Sequence, residues 1–381
     1  MKVCLTSWAP FVAGAEIAVE RLAVGLAEAG HDVLLVVGTD GEALTRFRDA
    51  GIRCEFIAQQ FTDKRKWLRY RRSRKALTEL LRHEQPDLVH SNDLPTHQMT
   101  SDAARRLPFQ LPRVCHHRWI FERAAIDWLN KFGAERHLFV SDALMRMLCE
   151  ASPKLESSPR SVVYDGLPIP EMPSDADRLL AKRELGIDHE RVTVLFAGQI
   201  IERKGVADLL RAWDLLSAET RSRGELVIVG DDLENAGAYR HEMEQLAGEL
   251  GHPVRFQGFQ RNVPRWLTAA DIVLVPSHAE PLGNATLEAM AHGRPVIGCD
   301  VGGIPEMVDE KVTGLLAPPK SPSTLAGALA RLIDDASLRA GMGFAGRDHC
   351  ERRFSLAAHV DAVVCEYRWV LAAPMTTPVT V

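Results

Sequence analysis

A chain of 381 residues carrying 46 Lys and Arg against 51 Asp and Glu has room for two α/β domains, and its formal charge of −5 gives no reason to assign it to nucleic acid. Its seven cysteines are odd in number and never form a C-x-x-C pair, which argues against a disulfide frame or a zinc ribbon and for a reducing compartment. No run of 18 apolar residues occurs, and MKVCLTSWAP reads as a strand and loop rather than a signal peptide, so a soluble, cytoplasmic protein is expected. The charge is uneven: residues 1–168 hold 24 basic against 21 acidic side chains, and residues 169–381 hold 22 against 30.

Along the chain, strand-like runs alternate with amphipathic helical runs. KVCLTS, EIAVERLAVGLAEAG and DVLLVVG open the first series, with the loop APFVAGAEI and its Gly14 feeding the first helix. The run KRKWLRYRRSRK (64–75) then places eight basic residues in twelve positions around Trp67, Leu68 and Tyr70, a composition that would also suit nucleic acid or a solvated helix face, with an anionic membrane face or lipid-linked acceptor the preferred reading. QPDLVHSND and LPRVCHHRW read as further strand ends, the second bearing His116 and His117. DGLPIPEMPSDAD (165–177) has no periodicity and marks a linker, giving domains at 1–165 and 170–355. Asp175 and Asp177 sit ahead of a helix without a preceding apolar strand, so capping is expected of them and no metal is implied.

The rhythm resumes with VTVLFAG, VADLLRAWDLL and ELVIVG, as expected for parallel sheets covered by helices. In AGQIIERKGVADLL (197–210), Lys204 stands at a strand end just before a helix, where open α/β sheets bind ligands and a cation neutralises phosphate. Phe259 follows the next strand, a position where an apolar residue is ordinarily core. In EPLGNATLEAMAHGRPVIG (280–298), Glu280 lies in a loop and Glu288 eight positions on, along a helix that opens at Asn284 after Gly283. A helix start favours an anion, and flanking carboxylates accept from sugar hydroxyls. That layout suits a ligand with phosphates in the middle and hydroxyls at both ends, as in a nucleotide sugar. LAAHVDAVVCEYRWVLAA (356–373) forms a last helix after a complete second domain.

The 280–298 run is similar to the signature of the retaining glycosyltransferases of family 4, and the likeness extends over about 300 residues. The resemblance implies a GT-B fold, two Rossmann-like doubly wound domains facing across a cleft, with the last helix packed back onto the N-terminal domain. It implies transfer of a sugar from a UDP- or GDP-sugar to a lipid-linked or polysaccharide acceptor, with no metal and no cofactor beyond the donor. Lys204, Glu280 and His117 take the catalytic positions, with His116 the alternative one residue away. Gly14, Gln199, Arg203, Phe259, Arg261, Leu282, Gly283, Asn284, Ala285 and Glu288 fall at donor-binding positions. Gln199 stands where the family carries arginine, and Ala13 where it carries glycine. These departures leave room for a silent nucleotide-sugar-binding protein, and the same fold could serve an epimerase or hydrolase. An NAD enzyme is disfavoured, because no G-x-G-x-x-G follows the first strand. The partners expected are the donor, an anionic acceptor and, through 64–75, the inner face of the cytoplasmic membrane, with no nucleic acid.

Overall fold

The computed structural model describes residues 1–9, 11–59 and 66–372. The chain divides into two compact units, Met1–Pro168 together with Leu356–Val381, and Ile169–Ser355.

The first unit is built on seven strands, β1 (Lys2–Ser7), β2 (Asp32–Val37), β3 (Arg53–Phe56), β4 (Leu88–Ser91), β5 (Arg113–His117), β6 (Arg136–Phe139) and β7 (Arg160–Val162). They pair in parallel in the order β3-β2-β1-β4-β5-β6-β7. Helices cover both faces, which is why β1 and β2 are continuously buried after their first residues rather than alternating. Val3 and Leu5 enter one core and Cys4, between them, enters the other.

The last helix, Leu356–Ala372, belongs to this first unit because its apolar stripe is buried there. Val360, Val363, Val364, Tyr367 and Val370 join Leu22 and Leu26 of the helix Gly14–Glu28 in one cluster. Polar contacts set its rotation. The Tyr367 hydroxyl lies 2.6 Å from His90 Nδ1, and Arg136 donates to Glu366 at 2.6 Å while its guanidinium covers the Trp369 ring.

The second unit has β8 (Val192–Ala197), β9 (Gly224–Val229), β10 (Val254–Phe256), β11 (Ile272–Val275), β12 (Val296–Cys299) and β13 (Gly314–Ala317). These are also all parallel, in the order β10-β9-β8-β11-β12-β13. In each sheet the winding reverses beside the first strand, at β1/β4 and at β8/β11. Such a reversal splays the connecting loops apart at the carboxyl ends of the strands and opens a crevice there.

At the start of the helix Asp175–Glu184, Ser174 is the N-cap and Asp177 accepts from the Ser174 amide at 3.0 Å. Asp177 is thus a capping-box residue. All seven cysteines are free thiols. Among the described residues no helix is long and apolar enough to cross a membrane.

Tyr367 is fully buried. Tyr367→Phe would leave His90 Nδ1 without its partner, and loss of one buried hydrogen bond should lower stability by about 1–3 kcal/mol. Urea unfolding would read this as a fall in midpoint, and an unchanged midpoint would show that the bond does not hold the helix.

Candidate functional site

At the β8/β11 reversal two loops are pressed together, and their contact assembles the site. The loop after β8 ends in the short 3₁₀ turn Glu202–Lys204 followed by Gly205, and the loop after β11 runs through 276–283. The His278 amide donates to the Arg203 carbonyl at 2.7 Å. Gly205 has φ +70°, and a Cβ there would fall 1.9 Å from the Pro276 carbonyl oxygen, so only glycine permits the approach.

The result is a compact charge cluster. Lys204 Nζ lies 2.5 Å from Glu280 Oε1, and the Ser277 hydroxyl donates to the same oxygen at 2.7 Å. Arg203 reaches Glu280 Oε2 at 3.8 Å. Glu280 is only 5 % exposed, whereas the Arg203 side chain is 45 % exposed. Behind the cluster, Gly302 adopts φ +54°, and a Cβ on it would lie 1.7 Å from the Glu280 carbonyl oxygen. His278 Nε2 meets Asp208 Oδ2 at 2.7 Å, tying the loop to the helix Val206–Asp214.

Around this cluster stand the other expected donor residues. Gln199 is half-buried, and its amide nitrogen Nε2 is buried without a hydrogen-bond partner in the protein. The helix Asn284–Ala291 begins after Gly283 with no side chain capping it. Leu282 and Gly283 are buried, while Asn284, Ala285 and Glu288 are half-buried. In the loop beyond β10, Phe259 is 48 % exposed rather than core, following the edge strand of the sheet. Arg261 is exposed as well.

The β1/β4 reversal in the first unit holds a cavity of about 170 Å³ lined by Trp8, Glu16, Asp93, Pro95, Trp119 and Phe121, among others. The Asp93 carboxylate accepts from the Trp8 and Thr96 amides, each at 2.8 Å, and Glu16 accepts from the Ala13 amide at 3.1 Å. Gly14, the first residue of the following helix, is exposed. Burial raises the Glu16 carboxyl to about 7 and also raises that of Asp93.

His117 is not among the residues lining that cavity. It is 1 % exposed, its Nε2 lies 3.0 Å from His137 Nδ1, and its ring stacks on Phe139 at 4.5 Å. His116 points to the opposite face, where Nε2 sits 3.3 Å from the Val163 carbonyl and Nδ1 faces Arg118 at 3.1 Å. Burial pushes both imidazoles well below their ordinary range, so both are neutral at pH 7. Cys115, His117 and His137 form the one cluster of metal-ligand type among the described residues, their donor atoms within 4.8 Å of one another. The short contact within it has the length of a histidine–histidine hydrogen bond.

Sequence reasoning missed Ser277, Asp93 and Glu16. Ser277 stands three residues before Glu280 on the same loop, a spacing that could have marked it. Asp93 closes QPDLVHSND at a strand end, and Glu16 lies in the stretch compared with the family loop, yet neither spacing reveals burial.

A carboxyl whose folded-state pKa is raised stabilises the fold below its unfolded value, and that contribution is lost as pH rises through the folded value. For Glu16 the window runs from 4.5 to about 7. Glu16→Gln should therefore gain stability relative to the parent across this window, by an amount on the order of 3 kcal/mol, and level off above it. Parallel unfolding curves at pH 5 and 8 check this, and a constant difference would contradict a buried, protonated Glu16.

Residues 191–335 match the family described as glycosyl transferases group 1, and residues 12–169 match glycosyltransferase family 4. An uncharacterized glycosyltransferase of Methanocaldococcus jannaschii is 27 % identical over 375 residues, covering 89 % of this chain and 90 % of that protein. Alpha-D-kanosaminyltransferase of Streptomyces kanamyceticus is 30 % identical over 269 residues, 66 % of this chain and 67 % of the relative. The crystal structure of Anabaena HepE in complex with UDP and glucose matches with a TM-score of 0.84 at 23 % identity, covering 97 % of this chain and all of that one. That likeness gives the fold, a two-domain Rossmann-like GT-B architecture. Two parallel sheets of doubly wound order, the loop cluster of Lys204 and Glu280, and these matches place the chain in glycosyltransferase family 4.

Proposed function

We propose that this protein transfers a hexosyl group from a nucleoside diphosphate sugar to a lipid-linked or glycan acceptor, with retention at the anomeric carbon and without a metal ion. The observation that carries the reading is the Lys204–Glu280–Ser277 cluster at the β8/β11 reversal, with Arg203 at its edge and, on the same loop as Lys204, a Gln199 amide without a partner in the protein. A buried donor without a partner is costly, by about 1–3 kcal/mol, and a phosphate or sugar oxygen would satisfy it.

On donor binding, Lys204 turns from Glu280 to the diphosphate, and Arg203 and Gln199 add donors to it. Glu280 then accepts from hydroxyls of the donor sugar, and Glu288 from those of the ribose. The bond from the anomeric carbon to the diphosphate oxygen breaks as the acceptor oxygen bonds to that carbon from the same face. The acceptor proton passes to the departing phosphate oxygen, so no side-chain nucleophile takes part. The HepE complex with UDP and glucose supports a UDP-sugar as the first donor to test. On the acceptor side, the cavity bearing Trp8, Trp119, Glu16 and Asp93 combines aromatic faces with hydroxyl-binding carboxyls, a lining that fits a sugar ring. His117, buried against His137, would act on this site only through the packing of β5.

Membrane contact is proposed through the basic helix Trp67–Glu84. Its exposed start carries Lys66, Trp67, Leu68, Arg69, Arg71 and Arg72, while Lys64 and Arg65 of the same run lie outside the described residues. An epimerase or hydrolase would instead consume the donor with no acceptor, and a silent binding protein would hold it unchanged.

Thermal stabilisation by UDP, GDP, ADP and their sugar conjugates, with EDTA present, tests the donor site by mass action. One nucleotide series is expected to raise the midpoint despite the chelator. Lys204→Ala should keep the fold and lose about 10²- to 10³-fold in turnover, as for removal of one preorganised charge at a leaving group. Donor turnover that needs no acceptor would favour the hydrolase, and binding without any turnover the silent protein. For the membrane contact, Arg69→Gln combined with Arg72→Gln should weaken binding to phosphatidylglycerol vesicles about 30-fold, from roughly 1 kcal/mol per basic residue near an anionic surface. Unchanged vesicle binding would remove the membrane claim.

A further inference from the structure

The first unit carries a second cavity that the transfer reaction does not use. It lies between the helices Trp67–Glu84, Leu94–Ala104 and Arg123–Leu129, and its volume is about 760 Å³. Small-molecule sites span roughly 300–1,000 Å³, so this is room for a ligand rather than a packing defect. It shares no lining residue with the cavity at the β1/β4 reversal.

Its charge is one-sided. Arg71, Arg74, Arg105, Arg106 and Lys131 face a single carboxylate, Asp102. Asp102 is already engaged: it accepts from the Tyr70 hydroxyl at 3.2 Å and from Arg74 at 3.3 Å, and it pairs with Arg106. That carboxylate therefore fixes two guanidinium groups in place without neutralising the pocket. The other three cations are held differently. Arg71 sits over the Trp67 ring at 4.6 Å, and Arg105 and Lys131 lie near the Phe132 ring at 5.1 and 5.5 Å. A cation held over an aromatic face keeps its full charge and leaves its N–H donors for another acceptor. None of these three has a carboxylate partner among the described residues.

Several guanidinium groups around one recess match the many acceptor oxygens of a phosphoryl group, which arginine binds in bidentate fashion. Trp67 and Trp128, 54 % and 41 % exposed, supply apolar faces at the same recess. We propose that this cavity is a binding site for a phosphoryl-bearing ligand, the phosphate held among Arg71, Arg74, Arg105 and Lys131 and its organic part laid against the two tryptophans. The source of that phosphate is a sugar phosphate or a phospholipid head group. The inference rests on this cavity alone and stands apart from the donor site of the other unit.

The test separates the two sources. Calorimetric titration of the full chain with glucose 1-phosphate, at low salt and with UDP present to fill any donor site, is run beside glucose as a neutral control. Sedimentation with phosphatidylglycerol and with phosphatidylcholine vesicles forms the second arm. The variant is Arg105→Gln with Lys131→Gln, on the wall opposite the basic helix, and Arg69→Gln with Arg72→Gln controls for diffuse surface attraction. Glucose 1-phosphate binding that glucose does not reproduce, weakened at least tenfold in the Arg105/Lys131 variant, supports the site with a soluble ligand. Silence toward glucose 1-phosphate, with phosphatidylglycerol binding weakened tenfold in the same variant, supports it with a lipid head group. Absence of binding in both arms, or binding that the Arg105/Lys131 variant leaves unchanged, overturns the proposal, and stabilisation by UDP in that same variant would show the donor site to be intact regardless. Should circular dichroism show the double variant misfolded, Lys131→Gln alone, which removes an exposed cation outside the basic helix, gives the same readout.

Discussion

The Lys204–Glu280 cluster depends on one backbone contact, the apposition of the loop after β8 and the loop after β11. The His278 amide on the Arg203 carbonyl, and the bare Cα of Gly205 against Pro276, bring a cation on one loop to a carboxylate on the other. Neither partner would sit so without the other. A nearly buried carboxylate such as Glu280 is tolerable only if it is paired, since removing one partner of a buried ion pair typically costs about 3–5 kcal/mol. On the proposed donor reading, a ligand that drew Lys204 away with its phosphate would also have to satisfy Glu280, which a nucleoside diphosphate sugar can do through its hydroxyls and a free phosphate cannot.

The two units use the same topological device with opposite electrostatics. At β8/β11 the carboxylate is surrounded by Lys204, Arg203 and a serine hydroxyl, so negative charge is matched. At β1/β4 two carboxyls, Glu16 and Asp93, are buried among tryptophans with amide donors, and burial raises both. A group protonated near neutrality can donate to a ligand oxygen, while an ionised one can only accept. By its lining the β1/β4 site suits a neutral hydroxylated surface, and the β8/β11 site a ligand that brings its own charge.

How much of this was legible in the sequence follows from what each feature depends on. Periodicity is local, so the strand and helix rhythm could be read, as could Lys204 before Gly205 and, separately, Glu280 and Glu288 on a glycine-punctuated run; that Lys204 meets Glu280 could not. Phe259 stood in the sequence both at a donor-binding position and where an apolar residue is ordinarily core; its exposure follows from β10 being an edge strand, which only the sheet order reveals. The histidines of LPRVCHHRW show the same limit. Adjacent residues on a strand face opposite ways, so His116 and His117 point to opposite faces, and their partners, Val163 just beyond β7 and His137 on β6, lie where no spacing connects to them.

The basic run 64–75 carries the point further, because its charge was visible and its geometry was not. As a sequence it reads as a solvated or membrane-facing stripe. In the fold, Arg71 and Arg74 turn toward Arg105, Arg106 and Lys131, residues 30 to 60 positions away, and the five cations share a recess with one carboxylate. Such convergence is electrostatically unfavourable unless something compensates it, and Asp102 with the faces of Trp67 and Phe132 does so only in part. Repulsion among cations that could have spread over a free surface, yet are drawn together around a cavity, is the kind of local conflict that folding alone does not explain. An anionic ligand resolves it, and the same ligand would convert a diffuse basic surface into a site with a defined occupant.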